Sequence, residues 1–152
     1  MNKYTAIQRL IQLDHDAAKA YESAISAVDN PSTCDQLAAF CADHHRHTEN
    51  LAAILENLEA EVPQGPDLRR VLTQGRVVLA DILGFEIDVL NALRDNAAMI
   101  HEAYDEALKL DDLDAAMSQT LKSNRETLRS HSEWLAKRCN SILAATATPI
   151  QS

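Results

Sequence analysis

The chain has 152 residues, 46% of them hydrophobic, which makes one domain with enough apolar material for a core. Its formal charge of −9 argues against a nucleic-acid partner, which needs a basic surface, and against anionic lipid. No apolar run approaches the ~18 residues of a membrane span, and the charged N-terminus, MNKYTAIQRLIQLDHD, lacks the apolar stretch of a signal peptide.

Low aromatic content with abundant Ala, Leu, Glu and Asp favours helices over sheet. The cysteines, Cys34, Cys41 and Cys139, are odd in number and lack CxxC spacing. They read as reduced thiols of a cytoplasmic protein.

The first helix is expected from about Lys3 to Val28, with Ile7, Leu10, Asp14, Ala17, Tyr21, Ala24 and Val28 inward in alternating steps of three and four. Asp14 is the one acid in that seam. Asp29-Asn30-Pro31-Ser32-Thr33 is a tight turn, so the next helix runs antiparallel beside the first. That second helix, about Thr33 to Glu61, carries the stripe Leu37, Phe40, Cys41, Leu51, Ile54, Leu55 and Leu58. At about 100° per residue, His44 falls near the centre of the stripe and His47 on its flank, while His45 points away.

Val62-Pro63-Gln64-Gly65-Pro66 breaks the chain, and a short helix is expected over about Leu68 to Leu83. A third long helix, about Glu86 to Leu110, turns Glu86, Leu90, Leu93, Ala97, Ile100, Tyr104 and Ala107 inward. After Asp111 and Asp112 comes the fourth, about Leu113 to Leu143, with Met117, Leu121, Asn124, Leu128, His131, Leu135 and Ile142 inward. Residues 1–143 thus form one bundle, and 144–152 a loose tail without periodicity.

The two hairpins resemble each other. Ala20-Tyr21-Glu22-Ser23-Ala24-Ile25 corresponds to Ala103-Tyr104-Asp105-Glu106-Ala107-Leu108, and Arg46-His47-Thr48-Glu49-Asn50-Leu51 to Ser130-His131-Ser132-Glu133-Trp134-Leu135. Two such hairpins joined by one long connection give an all-α, antiparallel four-helix bundle of ferritin-like arrangement. The Ala-Tyr-Glu/Asp-x-Ala motif, the break after Val62-Pro63 and the 84–108 segment ending in AYDEAL resemble a group of small bacterial ferritin-like proteins. The resemblance spans residues 4 to about 137 and implies that fold without an assigned reaction.

Diiron members of that superfamily take a carboxylate from each of two helices and Glu-x-x-His from each of the other two. Here the first helix offers Asp14 and the third Ala97. The second offers His47 with His44 in the Glu place, and the fourth His131 with Leu128 in the Glu place. Glu86 lies eleven residues before Ala97, ~16 Å along the axis at 1.5 Å per residue. One carboxylate is too few for two irons. The candidate metal ligands are therefore Asp14, His44, His47 and His131, a set suited to a single Fe, Zn or Mn ion.

The same residues, with Asn124 bonding a histidine, also read as a metal-free buried polar network. Tyr21 and Tyr104 read as core residues whose hydroxyls find partners. His15 is expected on the solvent side, His45 with Glu49 as a surface pair, and His101 with Asp105 likewise.

Three functions stay open: metal handling, linked to stress or to oxidoreductase chemistry; a metal-free bundle acting through self-association or a protein partner; and, last, diiron or hemerythrin-like chemistry. Val77, Val78 and Ile82 of the short helix would suit a homodimer.

Overall fold

A computed structural model describes residues 2–65 and 85–147. Among them four helices form an all-α bundle: α1 (Lys3–Ala27), α2 (Pro31–Asn57), α3 (Glu86–Leu108) and α4 (Ala115–Ala147). The short helix expected over 68–83, with Val77, Val78 and Ile82, lies outside the described residues.

The ends of the helices follow local chemistry. Asn30 is extended and its Oδ1 accepts from Thr33 N at 3.1 Å, with Pro31 at the first helical position. This starts α2 two residues earlier than the turn suggested. Asp114 caps α4 in the same way, its Oδ1 accepting from Met117 N at 2.8 Å.

The expected end of α2 at Glu61 is corrected to Asn57, because the backbone reverses through Glu59 at φ 55°. Ala60 N bonds Leu55 O at 2.9 Å and Glu59 N bonds Glu56 O at 3.1 Å, the paired closure of a left-handed helix cap. A glutamate in this conformation carries a Cβ penalty that glycine does not. Glu59→Gly is expected to stabilise the protein by up to about 1 kcal/mol, read as a higher urea midpoint.

Helix α1 packs on α2 and α3 on α4, and the two hairpins meet through α1 against α3 and α2 against α4. Gln8 Nε2 donates to Glu61 O at 2.9 Å, which places the end of α2 by the start of α1. Thr33 Oγ1 donates to Glu86 Oε1 at 2.6 Å, which places the start of α3 by the start of α2. The end of α2 and the start of α3 therefore lie at opposite ends of the bundle, about 40 Å apart at 1.5 Å per residue for the 27 residues of α2. Glu86 also takes Arg138 Nε at 3.0 Å and Nη2 at 3.1 Å, and this bidentate pair closes that end of the bundle.

The interior is not uniformly apolar. One half packs Tyr21, Val28, Leu37, Phe40, Leu90 and Leu135. The other packs Ile7, Leu10, Leu51, Leu55, Tyr104 and Leu128. Between them lie Asp14, His44, His47, Asn124 and His131, each no more than 2% exposed. The inward positions expected on α1 are all buried. On α4, Cys139 belongs to the core and Ile142 is only partly buried, a one-turn shift at the end of that stripe.

Candidate metal centre

Asp14 enters the middle of the bundle from α1 at a position that the helical period otherwise fills with apolar side chains, and it is 0% exposed. A carboxylate there must be met by donors or a cation. His44 Nδ1 donates to Asp14 Oδ1 at 2.6 Å, and His47 Nδ1 lies 3.2 Å from the same oxygen. Tyr104 Oη donates to the other oxygen, Oδ2, at 2.6 Å. Asn124 Nδ2 donates to the Tyr104 hydroxyl at 3.2 Å, so its partner is the tyrosine and not a histidine as expected.

Burial alone would raise the pKa of Asp14. The hydrogen bonds from His44 and His47 and their charge interactions outweigh it and lower the group to about 2. The carboxylate is therefore ionised in the core.

His131 stands apart from these contacts. Its Nε2 lies 2.8 Å from Asp43 Oδ2, an acid that the sequence pattern did not single out. Phe40 stacks on the His131 ring at a centroid distance of 4.0 Å, and the His44 ring centre is 5.3 Å away. Burial lowers the pKa of His131 to about 4 despite the Asp43 hydrogen bond, so the ring is neutral at neutral pH. Among the described residues, His131 Nδ1 is the one buried side-chain nitrogen or oxygen with no hydrogen-bond partner.

The duplicated frame is visible in how these side chains meet. Tyr21 sets an edge against His131 at 6.1 Å and 78°, and Tyr104 against His47 at 6.4 Å and 68°. Each tyrosine thus faces the histidine of the other hairpin. The acids do not follow the symmetry: Asp14 corresponds to Ala97, and His44 to Leu128. A crevice of about 10 Å³ between α1 and α3, lined by Ala17, Tyr21, Leu93, Ala97 and Ile100, reaches His44. That is room for roughly one water.

Donor atoms of Asp14, His44 and His47, all buried, lie within 4.8 Å of one another, close enough for one ion. Ligand distances of about 2.0–2.2 Å in a tetrahedral site put neighbouring donors about 3.3–3.6 Å apart. The Asp14–His47 separation of 3.2 Å is close to that. The Asp14–His44 hydrogen bond at 2.6 Å is shorter and must open to admit an ion. His131, the fourth residue expected, is beside this group and outside it. A diiron centre does not fit, since the layer holds one carboxylate and the second hairpin offers Ala97 and Leu128.

A second trio, exposed Glu22 and His45 with buried Cys41, lies between α1 and α2. His45 Nε2 is 3.9 Å from Glu22 Oε1, so its cross-helix partner is Glu22, where Glu49 was expected. Cys41 donates to Ala18 O at 3.4 Å, and burial raises its pKa, which keeps it a thiol. His101 and Asp105 pair at 3.3 Å as expected, and His15 Nε2 lies 3.2 Å from Pro63 O, half-buried where a solvent-facing ring was expected.

The class these observations define is an all-α four-helix bundle with a carboxylate–histidine cluster at mid-core. A family model, the domain of unknown function DUF2383, matches residues 2–111, and the chain belongs to that family. The match includes Asp14, His44 and His47 and stops short of His131. Comparison with curated proteins and with solved structures returns no match. Among the described residues no helix is long and apolar enough to cross a membrane.

Proposed function

We propose that this protein is a ferritin-like bundle that holds a single transition-metal ion, Fe, Zn or Mn, on Asp14, His44 and His47, in a metal-handling role. The observation that carries the reading is the convergence of two imidazoles and one ionised carboxylate, all buried, at ligand spacing. The placement of the end of α2 and the start of α3 at opposite ends of the bundle, with the paired hairpins, supports the ferritin-like part.

A bound ion would supply Lewis acidity or, for iron or manganese, one-electron chemistry. The chain's own part is to bind and to exclude water. Tyr104 fixes the carboxylate through Oδ2 and leaves Oδ1 toward the histidines. Tyr21 stacks on His44 at 5.4 Å and holds its plane. Two apolar half-cores close the layer from either side.

One observation favours a second reading, a metal-free polar network: every contact of Asp14 is already a hydrogen bond. Equilibrium dialysis against Zn(II), Fe(II) and Mn(II), followed by elemental analysis, separates the two. The metal reading expects one ion per chain, lost in His44→Ala. No uptake of any of the three would leave the network as a structural device.

A further inference from the structure

The unpartnered nitrogen of His131 calls for an explanation, because a buried polar atom without a partner is rare. Asp43 is an acceptor only, so the hydrogen of the neutral His131 ring sits on Nε2 and points at Asp43. Nδ1 is then a bare lone pair inside the core, on a ring that is 1% exposed as a residue and whose centre lies 5.3 Å from that of His44. A carboxylate behind one ring nitrogen and a bare lone pair on the other is the arrangement by which proteins orient a metal-binding imidazole and raise its basicity.

Asp43 also accepts from Arg46 Nη2 at 2.6 Å through Oδ1, which leaves Oδ2 for His131. The other three donors fall one short of a tetrahedral set. Opening the Asp14–His44 hydrogen bond shifts His44, whose ring neighbours include Tyr21 and His131.

We propose that His131 Nδ1 is the fourth donor of the centre, drawn in when the ion separates Asp14 from His44, and that Asp43 is the positioning residue that keeps this nitrogen bare. This rests on the metal reading above and deepens it. It assigns Asp43 a role without any contact to the ion.

The test is Co(II) titration of the full chain, followed by visible absorption, with urea unfolding of the metal-free proteins alongside. Wild type is expected to bind one Co(II) with the intense bands of a four-coordinate ion. His131→Leu is expected to lower affinity at least ~10-fold and weaken the bands, while raising the urea midpoint of the metal-free protein, since the orphan nitrogen is gone. A purely structural histidine would lower that midpoint. Asp43→Ala is expected to weaken Co(II) binding about 10–100-fold with the stoichiometry kept. Asp43→Asn, which retains an acceptor for Nε2–H, should recover part of the loss.

Wild-type affinity and spectrum in both His131→Leu and Asp43→Ala, with binding abolished in His44→Ala, would overturn the inference and leave the three-residue site standing. No Co(II) uptake by the wild type would remove the metal reading and this inference together.

Discussion

Asp14→Ala is expected to destabilise the metal-free protein by about 3–5 kcal/mol, read as a fall in the urea midpoint at unchanged slope. The change removes one small side chain but strands three donors. His44 Nδ1, His47 Nδ1 and Tyr104 Oη all point at the carboxylate in a buried layer. Each buried donor left unpaired costs about 1–3 kcal/mol. Against a total stability of about 5–15 kcal/mol for a domain, that is a large share. Asp14→Asn keeps one acceptor oxygen and should lose less. A loss under about 1 kcal/mol in Asp14→Ala would mean that the donors re-pair elsewhere and that the layer is not organised around this acid.

The second large effect is on acid stability. In chelator-treated protein, the folded His131 has a pKa of about 4 against 6.5 when unfolded. Between those values the unfolded chain takes up a proton that the folded chain refuses, so stability falls as pH falls. The window from pH 6.5 to 4 accounts for about 3 kcal/mol. The groups facing the ring are Asp43, His44 and His47 of α2 and Tyr21 of α1.

Asp14 works in the same direction lower down. Its folded pKa of about 2 lies below 3.8, so its contribution is complete above that value and is lost between pH 3.8 and 2, about 2 kcal/mol more. Burial pushes Asp43 up, but His131 and Arg46 hold it below its usual range, which adds to the lower phase. Urea midpoints measured across pH 7 to 3 should therefore fall in two phases, and His131→Leu should flatten the upper one. An upper phase of equal size in that variant would assign it to other groups.

Much of this was legible in the sequence because helical period decides which side chains face inward. Asp14 stood out as the one acid in a seam of Ile7, Leu10, Ala17 and Ala24, and a buried acid advertises a partner. His44 and His47 fall inward and His45 outward by the same rotation. The repeat matches Tyr21 with Tyr104 and His47 with His131, but their crossed contacts come from the packing of the hairpins.

What the period does not set is the axial offset and rotation between packed helices. Hence Asp43 meeting His131, Asn124 meeting Tyr104 and Glu22 meeting His45 were not readable from one chain. Asp43 sits among polar neighbours beside the stripe, where an acid reads as a solvated flank. Only its pairing with a buried imidazole from α4 marks it. The end of α2 differs for a related reason: Glu59 is a good helix former, and its left-handed conformation belongs to the turn that sends residues 61–65 back along α1, not to its own preference.

The central claim is that mid-core imidazoles and Asp14 hold one ion. X-ray absorption at the metal edge of protein loaded with one equivalent of Zn(II) tests it most directly, because the first shell reports ligand type and distance. Scattering from two or three imidazole nitrogens and one carboxylate oxygen at about 2.0–2.2 Å, with zinc uptake lost in His44→Ala, is the expected result. A sulfur shell at about 2.3 Å would move the ion to Cys41, and a first shell of water oxygens alone would leave Asp14, His44 and His47 as a hydrogen-bonded layer without a metal.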